Sequence, residues 1–146
     1  MSFRFTLATV LRVRESIERR EELALQRAEY EVARVQRQVE ELSNKLAKDA
    51  RDREQALQQP TQAFRLRSMQ AEMDADMATR QALLDILQTL QQKRDAQMKR
   101  YQIAHNDHQV LIELQKQQKG EYEHEQERAQ QKRLDDLFAA RLHLRS

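Results

Sequence analysis

Between Leu25 and Leu46 an apolar residue recurs every three or four positions without a miss: Leu25, Ala28, Val32, Val35, Val39, Leu42 and Leu46. Alternation of three and four averages 3.5 residues, so these side chains form one narrow stripe on a helix that supercoils left-handed about a partner helix. The intervening Gln, Arg, Glu and Lys keep the remaining faces wet. Before this stripe, Phe3, Phe5, Leu7, Val10 and Leu11 crowd an apolar tip, with Ser2 or Thr6 as candidate N-caps. Val13 and Ile17 then continue one face, while Glu18 and Glu21 fall where the main stripe would lie if extended backwards, an offset that predicts a stutter. After Leu46 the seam positions bring Asp49, Ala50 and Arg53 before Leu57 restores an apolar contact, which predicts a looser end.

The strongest interior punctuation is Gln58-Gln59-Pro60-Thr61, where Pro60 forces Gln59 out of the helical region and Thr61 can cap a new helix. Helix 1 is therefore expected over about residues 4–58, the turn at 59–61 and helix 2 over about 62–142, in a single coiled-coil domain spanning residues 1–146. Helix 2 carries Leu66, Met69, Met73, Leu83, Leu87, Leu90, Tyr101, Ala104 and Leu111 on one three-four progression, with polar gaps at Asp76, Arg80, Arg94, Gln97 and His108. A short connection makes the helices antiparallel neighbours, so facing residues should have numbers adding to about 120. That register sets Leu83, Leu84 and Leu87 beside Val32, Val35 and Val39, Ile103 beside Ile17, and Val110 beside Val10. It also leaves helix 2 unpaired beyond about residue 118. The expected fold is all-α: an antiparallel two-helix coiled coil, a long α-hairpin, with a C-terminal helical overhang.

Composition narrows the reading further. With 39% hydrophobic, 5% aromatic and 34% charged residues, one glycine and one proline, the chain has too little apolar surface for a thick core and the profile of long helices. Without cysteine there is no disulfide, thiol nucleophile or thiolate metal site. A net charge of +2 gives little support to nucleic-acid binding, and scattered Tyr30, Tyr101 and Tyr122 read as residues at or beside the seam, not as stacking platforms. Near the N-terminus Arg4, Arg12, Arg14, Arg19 and Arg20 outnumber Glu15 and Glu18, which suits an acidic partner, although a solvated helical turn is the plainer account. No run approaches the roughly 20 apolar residues of a membrane span, and no secretory signal is recognisable.

A single glycine excludes a glycine-rich phosphate loop. His105 and His108, spaced i, i+3 with Asp107 between them, have ligand-like spacing, but the plainer reading is a decorated wet face without a pocket to complete a coordination sphere. Glu121, Glu123, Glu125 and Glu127 alternate and cannot converge on one side of a helix. No enzyme, no metal, no cofactor and no small-molecule substrate are expected. Gly120 is either a hinge or a tolerated glycine in a continuous helix. Two stretches have the character of partner surfaces. One is Met69, Met73 and Met77, adaptable thioethers at an underfilled part of the seam, although ordinary seam filling is the plainer account. The other is the overhang, where Leu134, Leu137, Phe138 and Leu142 are flanked by Arg128, Lys132, Arg133, Arg141 and Arg145.

The opening Phe3-Arg4-Phe5-Thr6-Leu7, the run Val10-Leu11-Arg12-Val13-Arg14-Glu15, the Glu-, Ala- and Leu-rich first helix, and the closing Lys132-Arg133-Leu134-Asp135-Asp136-Leu137 with Arg141 resemble the FliJ family of the flagellar type III export apparatus, whose injectisome relatives are the YscO-like proteins. The resemblance spans nearly the whole chain. It implies a stalk-like coiled coil, monomeric alone, that engages a hexameric export ATPase (FliI-like), an export gate protein (FlhA-like) and export chaperones. It also implies a cytoplasmic protein peripherally associated with the inner-membrane export apparatus. On that reading the terminal end, Phe3, Arg4, Arg133, Leu134, Leu137, Phe138 and Arg141, faces the ATPase, and Met69, Met73 and Met77 face the gate or a chaperone; the alternative is a structural or self-associating coiled-coil tether without an ATPase partner.

Overall fold

In a computed structural model describing residues 2–60 and 62–145, two helices account for nearly all of the chain: α1, Ala8–Leu57, and α2, Ala63–Arg145. They pack against each other and no strand occurs among the described residues. Contacts group into two units. A hairpin unit comprises Glu21–Tyr101, and a terminal unit joins the start of the chain, through Arg20, to Gln102 and the rest of α2.

In the hairpin unit the expected stripe is the core. Val32 and Val35 are 3% and 4% exposed, Leu25 and Ala56 are buried, and Ala28, Val39, Leu42 and Leu46 are half-buried. Among the described residues no side chain is completely enclosed, since two helices cover each other on one side only. Burying a Val or Leu contributes on the order of 1.5–3 kcal/mol, so this short run supplies much of the glue. The opposing positions on α2 are Leu66, Met69, Met73, Leu83, Leu87 and Leu90, with Asp76, Arg80, Arg94 and Gln97 covered on the same seam. Polar seam residues find polar partners across the pair. Arg80 Nε donates to Ser43 Oγ at 2.8 Å, and Gln97 Nε2 donates to the Glu21 carbonyl at 3.1 Å and to its carboxylate. These pairings run antiparallel, on the register near 120 that the turn dictates.

Around Pro60 the chain passes from α1 to α2. The amides of Gln58 and Gln59 close the last turn of α1 on the carbonyls of Gln55 and Ala56, and the Gln62 carbonyl accepts the first bonds of α2 from Arg65 and Leu66. The proposed cap at Thr61 lies outside the described residues. Leu57 does not restore the seam: it is exposed, and Ala56 takes the buried position, because the three-four progression from Leu46 passes through Asp49 and Arg53 to residue 56.

In the terminal unit the seam continues the same progression backwards through Glu18, Arg14 and Leu11, all half-buried, so there is no stutter. Val10 and Val13 stand outside it, Val13 being 52% exposed. Val10 with Val110 and Ile17 with Ile103 are not the seam pairs of this unit: Val110 and Ile103 are exposed by 65% and 62%, and Ala104, His108 and Leu111 occupy the seam. The helix also begins later than expected, at Ala8, and neither Ser2 nor Thr6 starts it. Ala8 donates its amide to the Phe5 carbonyl, and residues 2–5 are non-helical. Phe5 is buried, and Phe3 meets Tyr122 with ring centroids 5.6 Å apart. Burial of the Phe5 ring and the Phe3–Tyr122 ring contact are tertiary gains at this end of the chain. Tyr30, by contrast, is exposed and not beside the seam. Gly120 lies within unbroken α2.

Candidate functional site

Two kinds of surface in the terminal unit merit description: a polar cluster within its seam and an apolar face at the end of α2. In the cluster, Glu18 of α1 accepts from both histidines of α2, at 2.9 Å from His105 Nδ1 through one oxygen and from His108 Nδ1 through the other. Glu18 and His108 are well covered, whereas His105 is partly open. The His105 hydrogen bond, above all, holds the Glu18 carboxyl below the usual carboxylate range, against a smaller opposing effect of burial. One turn away Arg14 pairs with Asp107 at 3.4 Å. The i, i+3 histidines are therefore not decoration on a wet face; the antiparallel register, which sets Glu18 near residue 102, carried that signal.

Beyond Tyr122, the last half-buried residue of α2, every described side chain is exposed. Leu134 and Phe138 are 61% and 66% exposed, Leu137 and Leu142 are similar, and Leu134, Asp135, Leu137, Phe138 and Arg141 line a shallow groove. This apolar face does not continue the seam. Extending the progression from Tyr122 passes through Glu125, Ala129, Lys132, Asp136 and Ala139, so the exposed leucines and Phe138 look elsewhere. The terminal-end residues thus divide: Arg133, Leu134, Leu137, Phe138 and Arg141 share the last turns of α2, while Phe3 sits against Tyr122, roughly 16 Å earlier along the helix, with exposed Arg4 beside it in sequence.

The methionines divide as well. Met69 and Met73 are half-buried on the hairpin-unit seam, and Met77 is exposed. Met73 and Met77 line an open groove with Ser43, Leu46, Ala47, Arg80 and Gln81, whereas Met69 borders a different one beside Asp52, Ala56 and Pro60. Near the first groove the carboxylates of Asp49, Glu72 and Asp76 converge as a cation site would. Lys45 already supplies the cation. Its ammonium bonds Asp76 and Glu72, the latter at 3.0 Å, and lies 3.5 Å from Asp49; the Asp76 bond, then that to Glu72, raises the Lys45 pKa above its ordinary value.

With these surfaces described, comparison with known families is decisive. The family model for the flagellar FliJ protein matches residues 3–146. The chain belongs to the FliJ family. Membership makes it a component of the flagellar protein-export apparatus. No curated protein and no solved structure gives a significant match. No helix of this FliJ-family chain, among the described residues, is long and apolar enough to cross a membrane.

Proposed function

We propose that this chain is the stalk-like coiled coil of the export apparatus, engaging the hexameric export ATPase through its terminal end and offering the Met73–Met77 groove, with Met69 nearby, to the export gate or a chaperone. The observation that supports this most is the apolar face of α2 beyond Tyr122, where Leu134, Leu137, Phe138 and Leu142 are exposed with Arg133 and Arg141 among them. An isolated surface leucine needs no explanation, but four such residues within nine positions of one helix form a patch of the kind that marks a binding site. A single asymmetric stalk contacts the subunits of a ring unequally, and unequal contact is what lets a ligand bias their conformational states. No catalytic group is required of the stalk.

The test is the hydrolysis rate of the purified cognate ATPase with the intact chain and with the double variant Leu134→Ser/Phe138→Ser. Losing two interface anchors weakens engagement by about tenfold or more, so stimulation falls at a fixed concentration. Undiminished stimulation removes the tail from the interface. Concentration-dependent sedimentation of the wild type, abolished in the variant, would instead assign the face to self-association.

A further inference from the structure

Past Glu127 the exposed end of α2 changes in charge as well as in polarity. From Arg128 to Arg145 it carries five basic side chains against two acidic ones, whereas Glu121, Glu123, Glu125 and Glu127 stand just before it. Arg128, Lys132, Arg133, Arg141 and Arg145 are all exposed, and none makes an ion pair or hydrogen bond among the described residues. Carboxylates are within a turn of two of them, yet Asp135 accepts from Gln131 instead, at 3.1 Å. Elsewhere on the helices such cations do find acidic partners, as Arg19 finds Glu15 and Arg34 finds Glu31. The apolar side chains of the segment, Leu134, Leu137, Phe138, Leu142 and Leu144, are 54% to 85% exposed.

Helical phase gathers these apolar residues on about half of the circumference, centred on Leu134. Lys132 and Asp136, through which the phase of the seam continues, are each two residues from Leu134 and therefore lie on the opposite side. The apolar face thus points away from α1, and a flat surface can approach it without meeting that helix. Arg141 and Arg145, seven and eleven residues after Leu134, fall within the face, while Arg128 and Arg133 border it. Guanidiniums set among leucines decide the chemistry of the occupant. In a dry protein groove each would lose its water and need a carboxylate built to meet it. At the boundary of a bilayer their aliphatic stems lie along apolar surface and their heads reach the headgroup phosphates. From Arg128 to Arg145 the helix runs about 27 Å, with Leu and Phe on one side and arginine among and beside them, the pattern of a helix that lies in a membrane interface with its apolar face sunk about 5–10 Å.

We infer that the Arg128–Arg145 segment lies on the surface of an anionic lipid bilayer, with Leu134, Leu137, Phe138 and Leu142 in the interface and Arg133, Arg141 and Arg145 against lipid phosphates. Glu123 and Glu127, in line with Leu134 on the preceding turns, are repelled by such a surface and end the contact there. The association is at the surface, since no helix among the described residues is long and apolar enough to cross a membrane. It stands without the ATPase reading; where both hold, lipid and ATPase occupy the one face in turn.

The chain contains no tryptophan, so Phe138→Trp supplies a single fluorophore in the full chain. Titrated with vesicles of phosphatidylcholine and phosphatidylglycerol in equal parts, its emission should shift to the blue, with an affinity about tenfold or more above that for phosphatidylcholine alone and a preference that weakens with salt. In that background Arg133→Gln/Arg141→Gln should remove most of the preference, Leu134→Ser/Leu142→Ser should abolish the shift, and Glu123→Gln/Glu127→Gln should tighten binding. All six side chains are exposed, so circular dichroism should be unchanged. No shift with anionic vesicles, equal affinity for both compositions, or vesicle binding that survives Leu134→Ser/Leu142→Ser would each overturn the inference. Vesicle binding by a chain that fails to stimulate the cognate ATPase removes only the ATPase reading, and stimulation without vesicle binding removes only this one.

Discussion

The hairpin unit and the terminal unit are built from the same two helices on the same three-four progression, yet their seams differ in degree: the first is mostly apolar with Asp76, Arg80, Arg94 and Gln97 among its positions, and the second mixes Leu11, Ala104 and Leu111 with Arg14, Glu18 and His108. In the hairpin unit Leu25, Val32 and Val35 are inside, and charges such as Lys45 and Glu72 stand on the flank. In the terminal unit Arg14, Glu18 and His108 occupy the seam, while Val10, Val13, Ile103 and Val110 are outside. The difference teaches what each is organised for. A mostly apolar seam stabilises the pair by itself, whereas apolar side chains left on a flank stay in water and add little.

The comparison breaks most visibly under one substitution made in both places. Val35→Asp puts a carboxylate where the native side chain is 4% exposed, and should cost about 3 kcal/mol or more, because the charge loses water without gaining a partner. Val13→Asp, at a position 52% exposed, should stay within about 0.5 kcal/mol. Urea unfolding followed by circular dichroism measures both. Comparable losses would mean that the outer valines of the terminal unit already have cover within the chain.

Much of this arrangement was legible in the chain, and the failures have one cause. The two long helices follow from a near absence of glycine and proline, their pairing from the stripe Leu25–Leu46, and the turn from Pro60. The polar gaps Asp76, Arg80, Gln97 and His108 were recognisable as seam positions, and the structure covers all of them. The structure departs from the sequence pattern where hydrophobicity and register disagree. Val13 and Ile17 suggested a stutter, Val110 a contact with Val10, and Leu57 a restored seam, but a two-helix pair covers positions according to helical phase, whichever side chains sit there. Had phase been followed through Glu18, its meeting with His105 and His108 would have been expected. Phe3 and Phe5 leave the helix for a different reason: their ring burial is a tertiary effect with no local signature.

A second difference concerns pH. Glu18 is held ionised in the folded chain by its histidine partners, so its folded pKa lies below its unfolded one. A carboxylate shifted this way contributes stability that is present above the unfolded pKa and lost as pH falls through the folded pKa. Glu18→Gln should therefore destabilise the chain by about 1 kcal/mol at neutral pH, the worth of a charged hydrogen-bond acceptor at a partly open site. The deficit should shrink as pH drops below the ordinary carboxylate range. Thermal melts of the two proteins across that window check it. A deficit independent of pH would mean that packing, not the carboxylate charge, supports this part of the seam.

The smallest effect isolates local helix stability from packing. Gly120 lies within α2 in the terminal unit, and a Cβ built on it meets nothing within 4 Å. Gly120→Ala therefore changes no tertiary contact, and should stabilise the helix around it by up to about 1 kcal/mol through reduced backbone entropy of the opened state. Hydrogen exchange locates the gain. Protection should rise at amides near Gly120 and stay unchanged at Leu83–Leu90, since seam packing in the hairpin unit holds those amides and the substitution does not touch it. A rise in both places would show that the units open together, and the contrast between their seams would then describe composition without independent stability. Unchanged protection near Gly120, combined with lost stimulation of the cognate ATPase, would instead identify the glycine as a bend used in the docked state.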